Sequence, residues 1–87
     1  MKLVIVSPHN KYEYDAVEWI EASTPSGSLV IKSGHAPIIM TLIAGSDFSF
    51  LLSVNGEKKI IKLLRPGFLE VNRISALVLI SQDMTEI

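Results

Sequence analysis

Turn-forming residues interrupt this chain about every ten residues, and that spacing most constrains its fold. The interruptions are Ser7-Pro8, Ser23–Ser28, Ser33-Gly34, Ala44-Gly45-Ser46, Asn55-Gly56, Pro66-Gly67 and Asn72-Arg73. The segments between them are short and rich in β-branched and aromatic residues, which favour strands. The 87 residues suffice for one small domain and are too few for two. We therefore predict a single all-β domain over residues 1–87, an antiparallel sandwich or barrel.

The run Phe48–Leu64 predicts a hairpin most clearly. Apolar and polar residues alternate up to Asn55-Gly56, a strong signal for a two-residue turn. That turn would place Phe50 opposite Ile61, whereas a four-residue loop would place Leu52 there. In either register one side of the hairpin is apolar, so we predict that the hairpin is half buried.

Three other segments are less regular. Tyr12–Ala22 alternates if the strand changes face near Asp15–Ala16, which predicts a bulge that brings Trp19 to the side of the two tyrosines. A helix over the same residues stays open as an alternative. Ser23–Ser28 is predicted as the longest loop. Ala36–Ile43 is apolar throughout and is predicted as a strand buried on both faces.

Composition excludes several classes of function. The net charge is −1, which argues against a nucleic-acid-binding module. The absence of cysteine excludes disulfides and thiolate metal sites. No run reaches the roughly 18 apolar residues of a membrane helix, so any membrane contact would go through a partner. The hydrophobic fraction is 48%, which predicts a well-filled core or an apolar surface kept for a partner.

The residues show no recognisable catalytic device. His9 and His35 lack metal-ligand spacing, and no phosphate-binding glycine loop or nucleophile elbow is present. The acidic run Glu13–Glu21 is predicted to be solvated. We therefore predict no catalytic residue, no metal, no cofactor and no small-molecule substrate. A small enzyme with His35 as its base stays the alternative, and a pocket with a carboxylate oriented on His35 would support it.

Two motifs carry a resemblance to a known family. The stretch Leu29–Ile39 contains Gly34-His35-Ala36-Pro37, and Gly67–Val71 reads Gly-Phe-Leu-Glu-Val. At this separation they resemble the epsilon subunit of rotary F-type ATP synthases, called delta in mitochondria. The family forms are Gly-Glu-(Leu/Phe)-Gly-Ile-x-Pro-Gly-His-Ala-Pro-Leu-Leu and Gly-Gly-Phe-Leu-Glu-Val. The resemblance covers nearly the whole chain.

The resemblance implies a flattened antiparallel β-sandwich of about 8–10 short strands without an active site. It implies a rotor subunit of the central stalk that binds the gamma subunit and the c-ring of a proton- or sodium-translocating synthase. The expected location is the cytoplasmic side of the bacterial inner membrane, where the subunit is peripheral and meets the membrane only through the c-ring. Because the family's C-terminal helical hairpin is absent from this sequence, we expect coupling without the inhibitory arm.

The resemblance also assigns contact residues. The expected c-ring contacts are Ser26, Gly27, Ser28, Ser33, Gly34 and His35. The expected gamma contacts are Ser7, His35, Ala36 and Pro37, with the neighbouring apolar strand faces. The expected turn residues are Pro37, Asn55, Gly56, Pro66 and Gly67. Departures from the family, such as Val30 for glycine, Ser28 for glutamate, Ser33 for proline and Pro66 for glycine, leave a free-standing β-sandwich adaptor with another partner as the alternative.

Overall fold

The computed structural model describes residues 1–82 and confirms the all-β class, since these residues contain strands and no helix. The strands are β1 (Lys2–Val6), β2 (Lys11–Tyr14), β3 (Val17–Thr24), β4 (Gly27–Lys32), β5 (Ile38–Leu42), β6 (Asp47–Leu52), β7 (Lys58–Lys62), β8 (Gly67–Val71) and β9 (Ser75–Leu79).

Two sheets face each other in a sandwich. The five-stranded sheet has the order β2-β1-β9-β8-β5, and the four-stranded sheet has the order β4-β3-β6-β7. Neighbouring strands are antiparallel, as predicted, with one exception: β1 and β9, the first and last strands, run parallel. The extents of 27 × 26 × 19 Å agree with a flattened sandwich.

The core lies between the sheets and takes alternate residues from each, because side chains in a strand point to opposite faces. The five-stranded sheet contributes Leu3, Ile5, Leu42, Leu69, Val71, Ala76 and Val78. The four-stranded sheet contributes Val17, Ile20, Ala22, Ile31, Phe48, Phe50 and Ile61. At its centre the Phe50 ring lies 4.8 Å from the ring centroid of Tyr14 and 6.0 Å from that of Phe48.

The predicted hairpin forms between β6 and β7, but in another register. Phe48 stands opposite Ile61, so both predicted partners of Ile61, Phe50 and Leu52, were wrong. The observed pairing is shifted by two residues from the pairing that a two-residue turn would give. Because side chains alternate with period two, such a shift leaves each side chain on the same face of the sheet as predicted. Phe48, Phe50 and Ile61 therefore still face the core, and the predicted apolar side is buried.

The Asn55-Gly56 turn explains the register. A type I′ turn needs positive φ at both central residues, and only Gly56, at +68°, has it. Asn55 instead accepts the Glu57 N–H on its side-chain oxygen at 2.9 Å. The ladder closes where the Leu52 N–H donates to the Glu57 carbonyl at 2.9 Å, which leaves four residues in the loop.

The predicted strand Tyr12–Ala22 is two strands, and the alternative helix is excluded over these residues. The chain does change face at Asp15–Ala16, but by crossing from β2 in one sheet to β3 in the other. The register irregularity lies two residues later, between Val17 and Trp19. The bulge prediction was therefore wrong in position, because periodicity alone does not show that a chain has changed sheets.

Two further segment predictions were wrong. Ser23–Ser28 is a tight hairpin rather than a long loop, because Thr24 pairs with Gly27. The Thr24 side-chain oxygen accepts the N–H of Ser26 at 3.2 Å and donates to the Gly27 carbonyl at 2.9 Å. The strand predicted over Ala36–Ile43 forms as β5, at a sheet edge. It is not buried on both faces, since Ile39 is 73% exposed.

Some predictions concern residues outside the described part of the chain. The polar end predicted for Gln82–Ile87 falls, beyond Gln82, outside residues 1–82. The domain boundary at residue 87 and the absence of a C-terminal helical hairpin stay predictions for the same reason.

Candidate docking surfaces

The outer face of the five-stranded sheet is apolar over much of β1, β9, β8 and β5, with the charged residues Lys2, Lys11 and Glu13 on its β2 side. The solvated face of an antiparallel sheet is normally polar along every strand. Cross-strand pairs place Phe68 beside Leu79 and Leu79 beside Val6. Phe68 is 55% exposed and Leu79 44%. We call this surface the apolar outer face, and it consists of Val4, Val6, Ile39, Phe68, Leu77 and Leu79. Contiguous exposed apolar residues of this kind mark interaction surfaces.

Two carboxylates border the residues of the apolar outer face: Glu13, which pairs across the ladder with Val4 and forms ion pairs with Lys2 and Lys11, and Glu70. Glu70 pairs across the ladder with Ile39 on one side and Leu77 on the other. It is exposed, and no cation among residues 1–82 forms an ion pair with it. A partner that covers this face would therefore match it best with an apolar surface carrying one positive charge.

The sequence analysis predicted apolar strand faces at the interface but did not identify their residues. The run Ala76–Ile80 carries the sequence signal for this apolar surface, because it contains no polar residue at alternate positions. In a strand with one solvated face, polar residues would alternate there. A strand of this kind that is apolar throughout therefore indicates that the face of the sheet turned away from the core also contacts another surface.

The loop from Ser33 to Pro37 joins β4 to β5 and is anchored across the sandwich. Gly34 has φ of +87°, a region that favours glycine, and its N–H donates to the Arg73 carbonyl at 2.8 Å. The His35 N–H donates to the Lys32 carbonyl at 3.2 Å. The first bond holds the loop against the turn between β8 and β9, and the second closes the loop on the end of β4. Ser33, Gly34 and Ala36 are thus presented to solvent in a fixed shape.

His35 is half buried, and its ring bonds locally. Nδ1 lies 2.7 Å from the Ala36 carbonyl oxygen; because a carbonyl only accepts, Nδ1 carries the proton in this bond. Nε2 is then free to accept from a partner when the ring is neutral. No group of three or more His, Asp or Glu in residues 1–82 could hold a metal ion. Within residues 1–82, no hydrogen bond joins His35 to a carboxylate.

Ser7 closes the turn between β1 and β2. It is 6% exposed; its hydroxyl donates to the Asn10 carbonyl at 3.1 Å and accepts the Asn10 N–H at 3.2 Å. Ser7 therefore shapes the turn, while Pro8, His9 and Asn10 are exposed to solvent. The gamma contact assigned to Ser7 stays a prediction.

The residues predicted to contact the c-ring are not brought together. Ser26 lies in the β3–β4 turn, Gly27 and Ser28 begin β4, and Ser33–His35 follow the other end of β4. At about 3.3 Å per residue, the length of β4 separates the two groups by roughly 20 Å. A single partner would have to extend along β4 to contact both.

The remaining predicted turn residues lie at strand boundaries. Pro37 directly precedes β5, which suits a residue without an N–H to donate. Pro66 lies in the connection from β7 to β8. Gly67 is buried as the first residue of β8.

Trp19 lies on the outer face of the four-stranded sheet, not on the side of Tyr12 and Tyr14, so this prediction was wrong. The irregularity after Val17 turns Trp19 outward, and the Lys58 ammonium lies 5.7 Å from its ring centroid. This cation–π contact covers part of the ring. The four-stranded sheet therefore presents a mixed surface rather than an apolar one.

Comparison with known proteins places this sandwich in a family. A family model described as the ATP synthase, delta/epsilon chain, beta-sandwich domain matches residues 1–84. The chain belongs to this family. The resemblance seen in the sequence is thus confirmed. Comparison with curated proteins found no match.

Two solved structures each contain a chain with a similar fold. One is from the Tetrahymena thermophila mitochondrial ATP synthase, central stalk and c-ring, with a TM-score of 0.72 over 94% of this chain and 63% of that one. The other is from the Euglena gracilis mitochondrial ATP synthase, OSCP/F1/c-ring, with a TM-score of 0.79 over 97% and 51%. Both are 17% identical to this chain. This chain therefore spans between half and two thirds of those chains.

No helix among residues 1–82 is long and apolar enough to cross a membrane.

Proposed function

We propose that this chain is a non-catalytic rotor subunit of the central stalk in a proton- or sodium-translocating F-type ATP synthase. It would bind the gamma subunit and the c-ring and so couple ion flow to ATP synthesis. The observation that carries this proposal is the delta/epsilon family match over residues 1–84. The likeness of the fold to chains from two mitochondrial ATP synthase structures supports it.

The surfaces fit two partners of different character. The apolar outer face with Glu70 would meet gamma, together with His35, Ala36 and Pro37 beside β5 and the turn at Ser7. The polar turns at Ser26–Ser28 and Ser33–His35 would meet the loops of the c-ring. The subunit would lie on the cytoplasmic side of a bacterial inner membrane and contact the membrane only through the ring.

Copurification tests this function against an adaptor role. The tagged chain, expressed in its own cells, should copurify with gamma and c subunits in one assembled complex. The substitutions at Val30, Ser33 and Pro66 motivate the alternative, in which the sandwich keeps its fold and binds another protein. Recovery of the chain with an unrelated partner, and its absence from the assembled synthase, would establish the adaptor and overturn the rotor proposal.

His35→Ala should weaken binding to the rotor about fivefold, which corresponds to one interface hydrogen bond of about 1 kcal/mol. The substitution removes both Nε2 and the Nδ1 bond that fixes the loop at Ala36. His35→Asn, whose amide can still donate near the Nδ1 position, should lose less. ATP hydrolysis by the isolated catalytic subunits should not change. A changed hydrolysis rate in those subunits would contradict an interface role.

Phe68→Ala should weaken binding to gamma by about tenfold to a hundredfold, because exposed aromatic side chains dominate the energetics of interfaces. Val30→Ala is the matched control, since Val30 is similarly exposed at 50% but lies on the outer face of the four-stranded sheet. Titration calorimetry with purified gamma measures both. Equal losses from the two variants would place the gamma interface elsewhere than on the apolar outer face.

A further inference from the structure

Within residues 1–82 the sandwich has four edge strands, and β5 differs from the other three. Edge strands normally carry charged residues that oppose pairing with another chain. Strand β2 carries Lys11 and Glu13, β4 carries Lys32, and β7 carries three lysines. Strand β5 reads Ile-Ile-Met-Thr-Leu and carries no charge. Among the described strands, β5 is thus the edge without this protection.

The backbone groups at the free edge of β5 can be assigned. The Ile43 N–H donates to the Ser23 carbonyl of β3 at 3.1 Å, and so points away from β8. Residues two apart along a strand present their backbone groups to the same side. The N–H and C=O groups of Ile39 and Thr41 therefore point to the free edge. In residues 1–82, β8 is the strand paired with β5, and it lies on the other side.

A cleft runs along this edge. The end of the β3–β4 hairpin, residues Thr24–Leu29, forms one wall, and residues Ile38–Thr41 form the other. Leu29, Ile38 and Met40 are half buried and pack against the core, so the floor of the cleft is apolar. A chain lying in the cleft would meet unpaired backbone groups along β5 and apolar side chains beneath.

We infer that the free edge of β5 binds an extended segment of the gamma subunit, which pairs as a sixth strand of the five-stranded sheet. This inference rests on the proposed function. A row of alternating donors and acceptors specifies an extended backbone rather than a helix or a small molecule. The proposed gamma contacts His35–Pro37 lead directly into β5, and Ile39 belongs to the apolar outer face, so the edge continues the proposed gamma surface.

Thr41→Pro tests the inference because it removes one free-edge N–H. Proline is tolerated on edge strands where the N–H faces solvent, so the ladder to β8 should remain. Binding to purified gamma should weaken at least about tenfold, from the lost hydrogen bond and the steric effect of the ring. The matched control is Thr41→Val, which keeps the N–H and the branched shape and should bind as the unmodified chain does. Thermal unfolding of both variants verifies the fold.

Hydrogen exchange of the unmodified chain gives a second measurement that needs no variant. The Ile39 and Thr41 amides should exchange faster than those of Met40 and Leu42 in the free chain and become protected when gamma binds.

Failure of the unmodified chain to bind gamma would overturn the proposed function. Binding that leaves these two amides unprotected, and that Thr41→Pro does not weaken, would overturn the edge inference alone. Protection of the same amides in a dimer of the isolated chain would show that a second copy occupies the edge, which would also overturn it.

Discussion

Phe50→Ala is expected to lower the free energy of unfolding by about 3–5 kcal/mol, the largest effect of a single substitution that we foresee. Phe50 is fully buried, and its ring contacts Tyr14 and Phe48. Alanine would remove these contacts and leave a cavity that the two surrounding sheets can fill only in part. A domain of this length has a total stability of about 4–13 kcal/mol, so the loss would be a large fraction of the total.

Urea denaturation monitored by circular dichroism measures this loss, and Phe68→Ala supplies the matched control. Both substitutions replace a phenylalanine ring with a methyl group, but Phe68 is 55% exposed on the apolar outer face, whereas Phe50 is buried. We therefore expect Phe68→Ala to cost less than about 1 kcal/mol of stability while it weakens partner binding. Similar unfolding midpoints for the two variants would contradict the arrangement of the core.

Gly67→Ala is expected to destabilise the domain by about 2–3 kcal/mol, because the new methyl group has no space. A Cβ at this position would lie 2.9 Å from the Leu79 carbonyl oxygen, closer than real Cβ contacts allow. That oxygen belongs to the backbone of β9, so relief requires β8 and β9 to move apart. The glycine of the Gly-Phe-Leu-Glu-Val motif thus permits a close approach of two strands.

Gly45→Ala distinguishes this steric effect from the general cost of replacing glycine. No atom lies within 4 Å of the position its Cβ would take, but Gly45 has φ of +81°. Its substitution should cost only about 1 kcal/mol, from the left-handed backbone. Thermal unfolding of the two variants measures the difference. A larger loss for Gly45→Ala than for Gly67→Ala would contradict the proposed contact with Leu79.

The candidate interface could be predicted from the sequence only in part. The two motifs correctly indicated the family, because they depend on short-range spacing that is visible along the chain. The contact surface itself is assembled from β1, β5, β8 and β9, which are far apart in sequence. Val4, Phe68 and Leu77 become neighbours only through the strand order, and the strand order depends on which sheet each segment joins.

The sequence by itself determined the all-β class, the positions of most strands and the apolar side of the β6–β7 hairpin. These follow from local propensity, from turn residues and from alternation with period two, all of which act within a few residues. The tertiary structure decided the register of that hairpin, the crossing at Asp15–Ala16, the parallel pairing of β1 with β9 and the edge position of β5. Each of these depends on contacts between segments that are distant in the sequence. The sequence of an apolar strand, such as β5, does not show whether the strand lies at the centre or at the edge of a sheet. Only the packed sandwich shows that Ile39 faces outward and that no other strand of residues 1–82 pairs with the edge beside it.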